Sequence, residues 1–348
     1  MAPPPATATA PASLSPSLTW SPADPAGSLR ALVRAVGELP LPGAGRTLDR
    51  WRILADVAAV DVAAIKLYEG HTDAVAILAE LDPQGHIDRM ARAQVQGPPI
   101  WAVWAAQPPD ARVDGVPRAE GIALTGRKAW CSGAAWVTHA LVTYFNEAGE
   151  AALAAVCLQA PGTRVTSEGW HAVGMAGTGS VDVCFDATPA WPVGAPGDYV
   201  SRPGFWHGGA GIAACWYGAA LPLARTLAAA QARRAEPHAQ AHLGRTDVAL
   251  HQTAALLRAA ARKIDEDPQA DARMLALRVR AAAEATALDV LDAAGKALGP
   301  APFCRDAALA RRFADLPVFL RQSHAERDLA QLGQGVARLT LAEQAWRL

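Results

Sequence analysis

Residues 124–145, LTGRKAWCSGAAWVTHALVTYF, decide how the rest of the chain is read. Gly126 and Gly133 punctuate two apolar, β-rich runs, so residues 127–132 read as a strand. Side chains two residues apart on a strand share a face, which places Trp130 beside Ser132. A flat aromatic next to a small hydroxyl suits a planar ligand with polar edge atoms. The same pattern also fits a strand whose tryptophan is ordinary core.

Further segments stand around this one in a telling order. Leu67-Tyr68-Glu69-Gly70-His71 is followed by an apolar run over 74–81, and Gly169-Trp170 precedes Val181-Asp182-Val183-Cys184-Phe185-Asp186. Arg312-Phe313-Ala314-Asp315-Leu316 lies near the C-terminus. With Gly126, Lys128, Trp130, Cys131 and Ser132 set against the pattern G-x-K-x-(W/F)-(I/V)-(S/T), the chain resembles the acyl-CoA dehydrogenase family over residues 50–332. It is most similar to a shorter bacterial branch of it. The resemblance implies an α+β multidomain fold: an N-terminal helical domain, a middle β-barrel-like domain and a C-terminal four-helix bundle. It also implies an FAD cofactor, with Trp130 packed on the isoalloxazine and Ser132 bonded to its N5 edge.

Bulk properties agree with several domains. A chain of 348 residues suits two or three cores of ordinary size. Its net charge of -1 favours neither nucleic acid nor an anionic membrane. The five cysteines at 131, 157, 184, 215 and 304 are scattered singly, without metal spacing, which suits a reducing cytoplasm. Residues 1–27, rich in Pro, Ala, Ser and Thr, read as a disordered leader. Residues 208–224 lack charge, but Gly, Ala and Pro222 make a buried helix the better reading than a membrane span.

Periodicity divides the rest. Residues 28–95 are helical in pattern, with Gly70 expected to break one helix before a second at 73–81. Over 96–203 the period falls to two, as in Val181, Val183 and Phe185. Over 204–348 helical spacing returns at 212–234, 247–264, 272–298 and 307–322.

The candidate chemistry follows from the resemblance. Residues 101–107, WAVWAAQ, fall where the family has a T-E-P-x-x-G-S-D loop; none of those polar residues is present, leaving the backbone of Val103, Trp104 and Ala105 to meet the flavin. The family's glutamate base is also missing. Its two places correspond to Gln322-Ser323-His324 and to His207-Gly208, so His324 and His207 are the candidates, with Glu326 nearby. Histidine titrates near neutrality, as a base requires, though either one also fits a structural role. Arg233 and Arg234 stand where the family places an arginine for the FAD diphosphate of a neighbouring subunit, and paired guanidiniums suit such a group.

Three patterns are set aside. Gly174, Gly177 and Gly179 precede a strand rather than a helix, so they make no dinucleotide fingerprint. His238 and His242 have metal-pair spacing but no third ligand. Arginines at 278, 280, 311, 312 and 321 are dispersed through helices. The expectation is an FAD-dependent oxidoreductase acting on an acyl thioester, as a homodimer or homotetramer, with an electron acceptor or reductase left open. A flavin-dependent monooxygenase on the same fold is the alternative, and a non-catalytic scaffold homologue is another.

Overall fold

The computed structural model describes residues 19–341 and 346. Four helices come first: α1 (Pro25–Val36), α2 (Thr47–Val60), α3 (Val62–Leu81) and α4 (His86–Gln94). The segment read as a leader lies outside the described residues up to 18, and its last three residues already belong to α1, capped by the Asp24 carboxylate on the Gly27 N–H. The Asp61 carboxylate starts α3 in the same way, accepting from the N–H groups of Ala63 and Ala64.

Gly70 does not break α3, contrary to the sequence expectation. A helical glycine costs only about 1 kcal/mol relative to alanine. Burial of Ala74, Ile77 and Leu78 beyond it, against Trp101, Leu141 and Leu153, offsets that cost.

Strands β1 (Trp101–Trp104), β2 (Val113–Pro117), β3 (Ile122–Cys131), β4 (His139–Phe145), β5 (Ala151–Cys157), β6 (Thr163–Val165) and β7 (Val181–Pro192) form one sheet in the order β1-β4-β2-β3-β7-β5, with β6 on β7. Pairing of β4 with β5 closes the path on itself. Residues 101–104, expected as a loop, are therefore an edge strand running parallel to β4.

The remaining helices are α5 (Asp198–Ser201), α6 (Pro203–Arg233), α7 (Pro237–Glu266), α8 (Arg273–Leu298), α9 (Ala301–Arg305), α10 (Ala307–Phe319) and α11 (Glu326–Leu341). Helices α6, α7 and α8 pack on one another, and α10 packs on α6 and α8. They are not an isolated group, because α2 also lies along α6 and α7. Gly218 permits that approach: a Cβ there would strike the Ala55 carbonyl of α2. Helix α6 is long and apolar enough to cross a membrane by length and composition, yet 61% of its most apolar window is buried within the fold.

Arg312 joins the layers. Its buried guanidinium donates to the carbonyls of Ala58, Ala59 and Val60, which end α2, and to that of Ala219 in α6. These helix-end carbonyls have no intrahelical partner of their own, so one side chain from α10 supplies the C-terminal cap.

Candidate flavin site

Strand β3 departs from regular pairing where the sequence expected Trp130 and Ser132 to share a strand face. Its register against β7 shifts between Lys128 and Cys131, and Trp130 takes a left-handed φ of 58°. A bulge of this kind re-aims side chains. Trp130 is turned outward with 50% of its surface exposed, while Cys131 is fully buried. Ser132 lies just past the strand, in the turn that follows.

The Ser132 hydroxyl heads a short chain of hydrogen bonds. Its Oγ stands 3.0 Å from Ser180 Oγ, which stands 2.7 Å from Thr178 Oγ1, and Thr178 donates to the Met175 carbonyl at 2.7 Å. Two further bonds fix the turn: Trp104 Nε1 donates to the Ser132 carbonyl at 3.1 Å, and the Gly133 N–H donates to the Thr178 carbonyl at 2.8 Å. Gly133 has a φ of 70°, and a Cβ there would run into Leu67 of α3. The turn thus sits directly against that helix.

Helix α3 forms a wall against this turn, meeting it at Leu67, and carries a buried charged pair. Glu69 and Lys66 are mostly buried, with Lys66 Nζ 3.5 Å from Glu69 Oε2. Burial pushes the Glu69 carboxyl above the usual carboxylate range, and the Lys66 ammonium only partly counters it. Asp73, one turn on, lies against Gly208 of α6. Arg280 of α8 then ties the wall to its neighbours, donating to the carbonyls of Gly209 at 3.1 Å and Gln322 at 2.9 Å.

The residues expected in the site are partly brought together. Trp104 is joined to Ser132, and Val103 lies beside Gly70 of α3, while the Ala105 carbonyl accepts from Thr143. His207 and His324 flank the two segments clasped by Arg280, but neither faces Ser132 through any contact among the described residues. The His207 ring is buried against Gly43, its Nε2 without a partner, and burial lowers its pKa. His324 is exposed, with Nδ1 3.3 Å from Asp328 Oδ1 at the start of α11. Arg233 and Arg234 stand at the far end of α6 from His207. Among the described residues no cluster suits a metal ion. A depression of about 290 Å³ between Trp20, Val173, Gly177 and Arg311 includes none of the expected site residues.

Thr178 and Ser180 were not singled out from sequence, Glu69 enters that reading only as part of a segment, and Arg280, set aside among the dispersed arginines, is in fact largely buried. The available signal was Thr178-Gly179-Ser180, whose hydroxyls flank a glycine with φ of 53° packed under Trp136. That glycine-rich stretch is a docking loop: Gly174 closes on Ala314 of α10, and the Met175 N–H donates to the Asp315 carboxylate at 2.6 Å.

Helices, then a closed sheet, then a second set of helices make up the acyl-CoA dehydrogenase-like fold. Solved structures with this fold match nearly the whole chain. Dibenzothiophene monooxygenase TdsC from Paenibacillus sp. A11-2 aligns at 18% identity over 89% of each chain, with a TM-score of 0.72, and has also been crystallised with FMN. KijD3 in complex with dTDP aligns at 22% identity over 90% of each chain, with a TM-score of 0.73. Butyryl-CoA dehydrogenase from Megasphaera elsdenii aligns at 14% identity over 84% of this chain and 82% of its own, with a TM-score of 0.73. No family model and no curated protein matches the sequence.

Proposed function

We propose that the protein is a flavin-dependent monooxygenase, acting on a polar small molecule with flavin reduced elsewhere. The carrying observation is the half-exposed indole of Trp130, turned outward by a bulge two residues before the partly open Ser132 that heads the hydroxyl chain. An indole left this open offers a face to a flat apolar partner, and a hydroxyl two residues on suits a ring with a polar edge. These residues fit a flavin. Trp130 would cover the ring and Ser132 would bond its edge, while Trp104 fixes the turn that carries Ser132. Bound flavin would supply two-electron redox chemistry at that position.

Oxygenation is preferred to dehydrogenation of an acyl thioester because of the candidate bases. Removing an α-proton requires a base within reach of the substrate. His207 is packed against Gly43, and His324 is held at the exposed start of α11, its main-chain N–H donating to the Asp328 carboxylate. The buried Lys66–Glu69 pair on α3, the helix that meets the Ser132 turn, is a polar feature in keeping with a hydrogen-bonding substrate. Support for the flavin comes further from TdsC and KijD3, both crystallised with FMN. A homodimer or homotetramer in a reducing cytoplasm completes the reading, in keeping with five free thiols.

The test is to add FMN or FAD to the purified protein, remove the excess and record the visible spectrum. A retained flavin band, lost in Trp130→Ala, is expected. Flavin reduced by an external reductase should then drive oxygen consumption, and short acyl-CoA thioesters should fail to bleach the oxidised flavin. A colourless protein would sink the proposal, and rapid bleaching by a thioester would restore the dehydrogenase reading.

A further inference from the structure

The three hydroxyls behind the candidate ring site have a fixed direction of donation. Each of Ser132, Ser180 and Thr178 owns a single hydroxyl proton. Thr178 gives its proton to the Met175 carbonyl, which can only accept. Ser180 must therefore be the donor in its 2.7 Å bond to Thr178. With that proton committed, the 3.0 Å bond between Ser180 and Ser132 is made by the Ser132 proton. Thr178 and Ser180 are 1% and 4% exposed, so water is not available to reverse the order. Ser132 alone is partly open, and no other group among the described residues donates to its oxygen. What it offers a ligand is lone pairs.

We infer that this relay makes Ser132 a dedicated hydrogen-bond acceptor, so that the site holds the two-electron-reduced flavin more tightly than the oxidised one. The inference rests on the flavin reading above and goes beyond it by assigning the redox state the site selects. The chemistry is that of the ring edge: N5 carries a hydrogen when the ring is reduced and is a bare acceptor when it is oxidised. An acceptor facing N5–H gains a hydrogen bond, whereas an acceptor facing bare N5 leaves both groups unsatisfied. Thr178 and Ser180 are positioning residues, since they act only through Ser132. The arrangement suits a protein that receives flavin already reduced.

The experiment compares dissociation constants of oxidised FMN, measured in air, and reduced FMN, measured anaerobically, for the wild type and for Ser180→Ala and Thr178→Val. Thermal unfolding of each variant establishes that it is folded, and Thr178→Val preserves shape should Ser180→Ala destabilise the turn. The wild type should prefer reduced FMN by about tenfold or more, which by linkage raises the two-electron midpoint potential of bound FMN by about 30 mV over free FMN. In either variant the Ser132 hydroxyl regains freedom to donate, and the preference should fall to about twofold. A ratio unchanged from wild type in both variants would overturn the inference while leaving the flavin reading intact. A wild type that binds neither form of FMN or FAD would overturn both.

Discussion

The main-chain N–H of Trp101 donates to Nδ1 of His71 across 3.2 Å, fixing that imidazole as a neutral acceptor where α3 meets β1. On the other side of the same strand, His139 lies 5.0 Å from the Trp101 ring. Burial pushes both imidazoles down to about 4, from the ordinary 6.5. Between those values the unfolded chain binds protons that the folded chain refuses, so stability falls as pH drops from 6.5 to about 4. The His71 ring contributes about 3 kcal/mol when fully titrated, and the less deeply enclosed His139 ring, screened more by solvent, about half of that. Urea unfolding at several pH values should show this slope, and His139→Gln should remove about a third of it; an unaltered slope would sink the assignment.

Arg312 makes a second stability prediction. Four carbonyls from two helices accept from it, and Arg312→Ala removes that donor from the buried carbonyls of Ala58 and Ala219 and from the more open ones of Ala59 and Val60. Hydrogen bonds to a charged group and the loss of a buried partner put the cost at about 3 kcal/mol. Arg312→Lys should recover only part of this, because an ammonium lacks the planar fork that reaches both helices. A loss below about 1 kcal/mol in chemical denaturation would show that water replaces the guanidinium.

These anchors explain what could be read from the chain beforehand. Periodicity exposed the long helices and the alternation of Val183 and Phe185, because burying one face imposes a spacing that survives in sequence. Strand β3 was legible as a strand through the apolar run punctuated by Gly126 and Gly133. The bulge was not, since it arises from the pairing of β3 with β7 and leaves no residue pattern of its own. The relay was hidden for the same reason: Ser132 and Ser180 are 48 residues apart and meet only when those strands pair. Gly70 misled because a packed helix tolerates what an isolated one does not. The burial of Glu69 was not legible because a Lys–Glu pair at i, i+3 ordinarily marks a solvated face.

Glu69 supplies a test of that buried wall. Its carboxyl is raised by burial, so the folded chain holds the proton to higher pH than the unfolded chain does. Above the ordinary carboxylate value of 4.5, stability is therefore lost as the group ionises inside the fold, because burial and the neighbouring Asp73 outweigh the help of Lys66 and Arg50. Glu69→Gln should be more stable than wild type at neutral pH, with the gap closing on acidification. A variant less stable at every pH would mean that the pair with Lys66 outweighs desolvation.

The position of Arg233 and Arg234 separates the two flavins. Helix α6 rises about 1.5 Å per residue, so Arg233 lies roughly 39 Å from His207 along it. The His207 end is the one beside Asp73 and the α3 wall. A diphosphate held at Arg233 and Arg234 would therefore belong to a ring bound in a neighbouring subunit, and FMN, which ends at a single phosphate, would have no use for these arginines. Replacing both with alanine should weaken FAD binding by about tenfold, the scale of one lost charge-assisted contact, and leave FMN binding unchanged. Equilibrium dialysis with each flavin measures this directly, with the oligomeric state followed by sedimentation. Equal weakening of both flavins would place the arginines near the ring instead, and no effect on either would make them part of an ordinary solvated helix end.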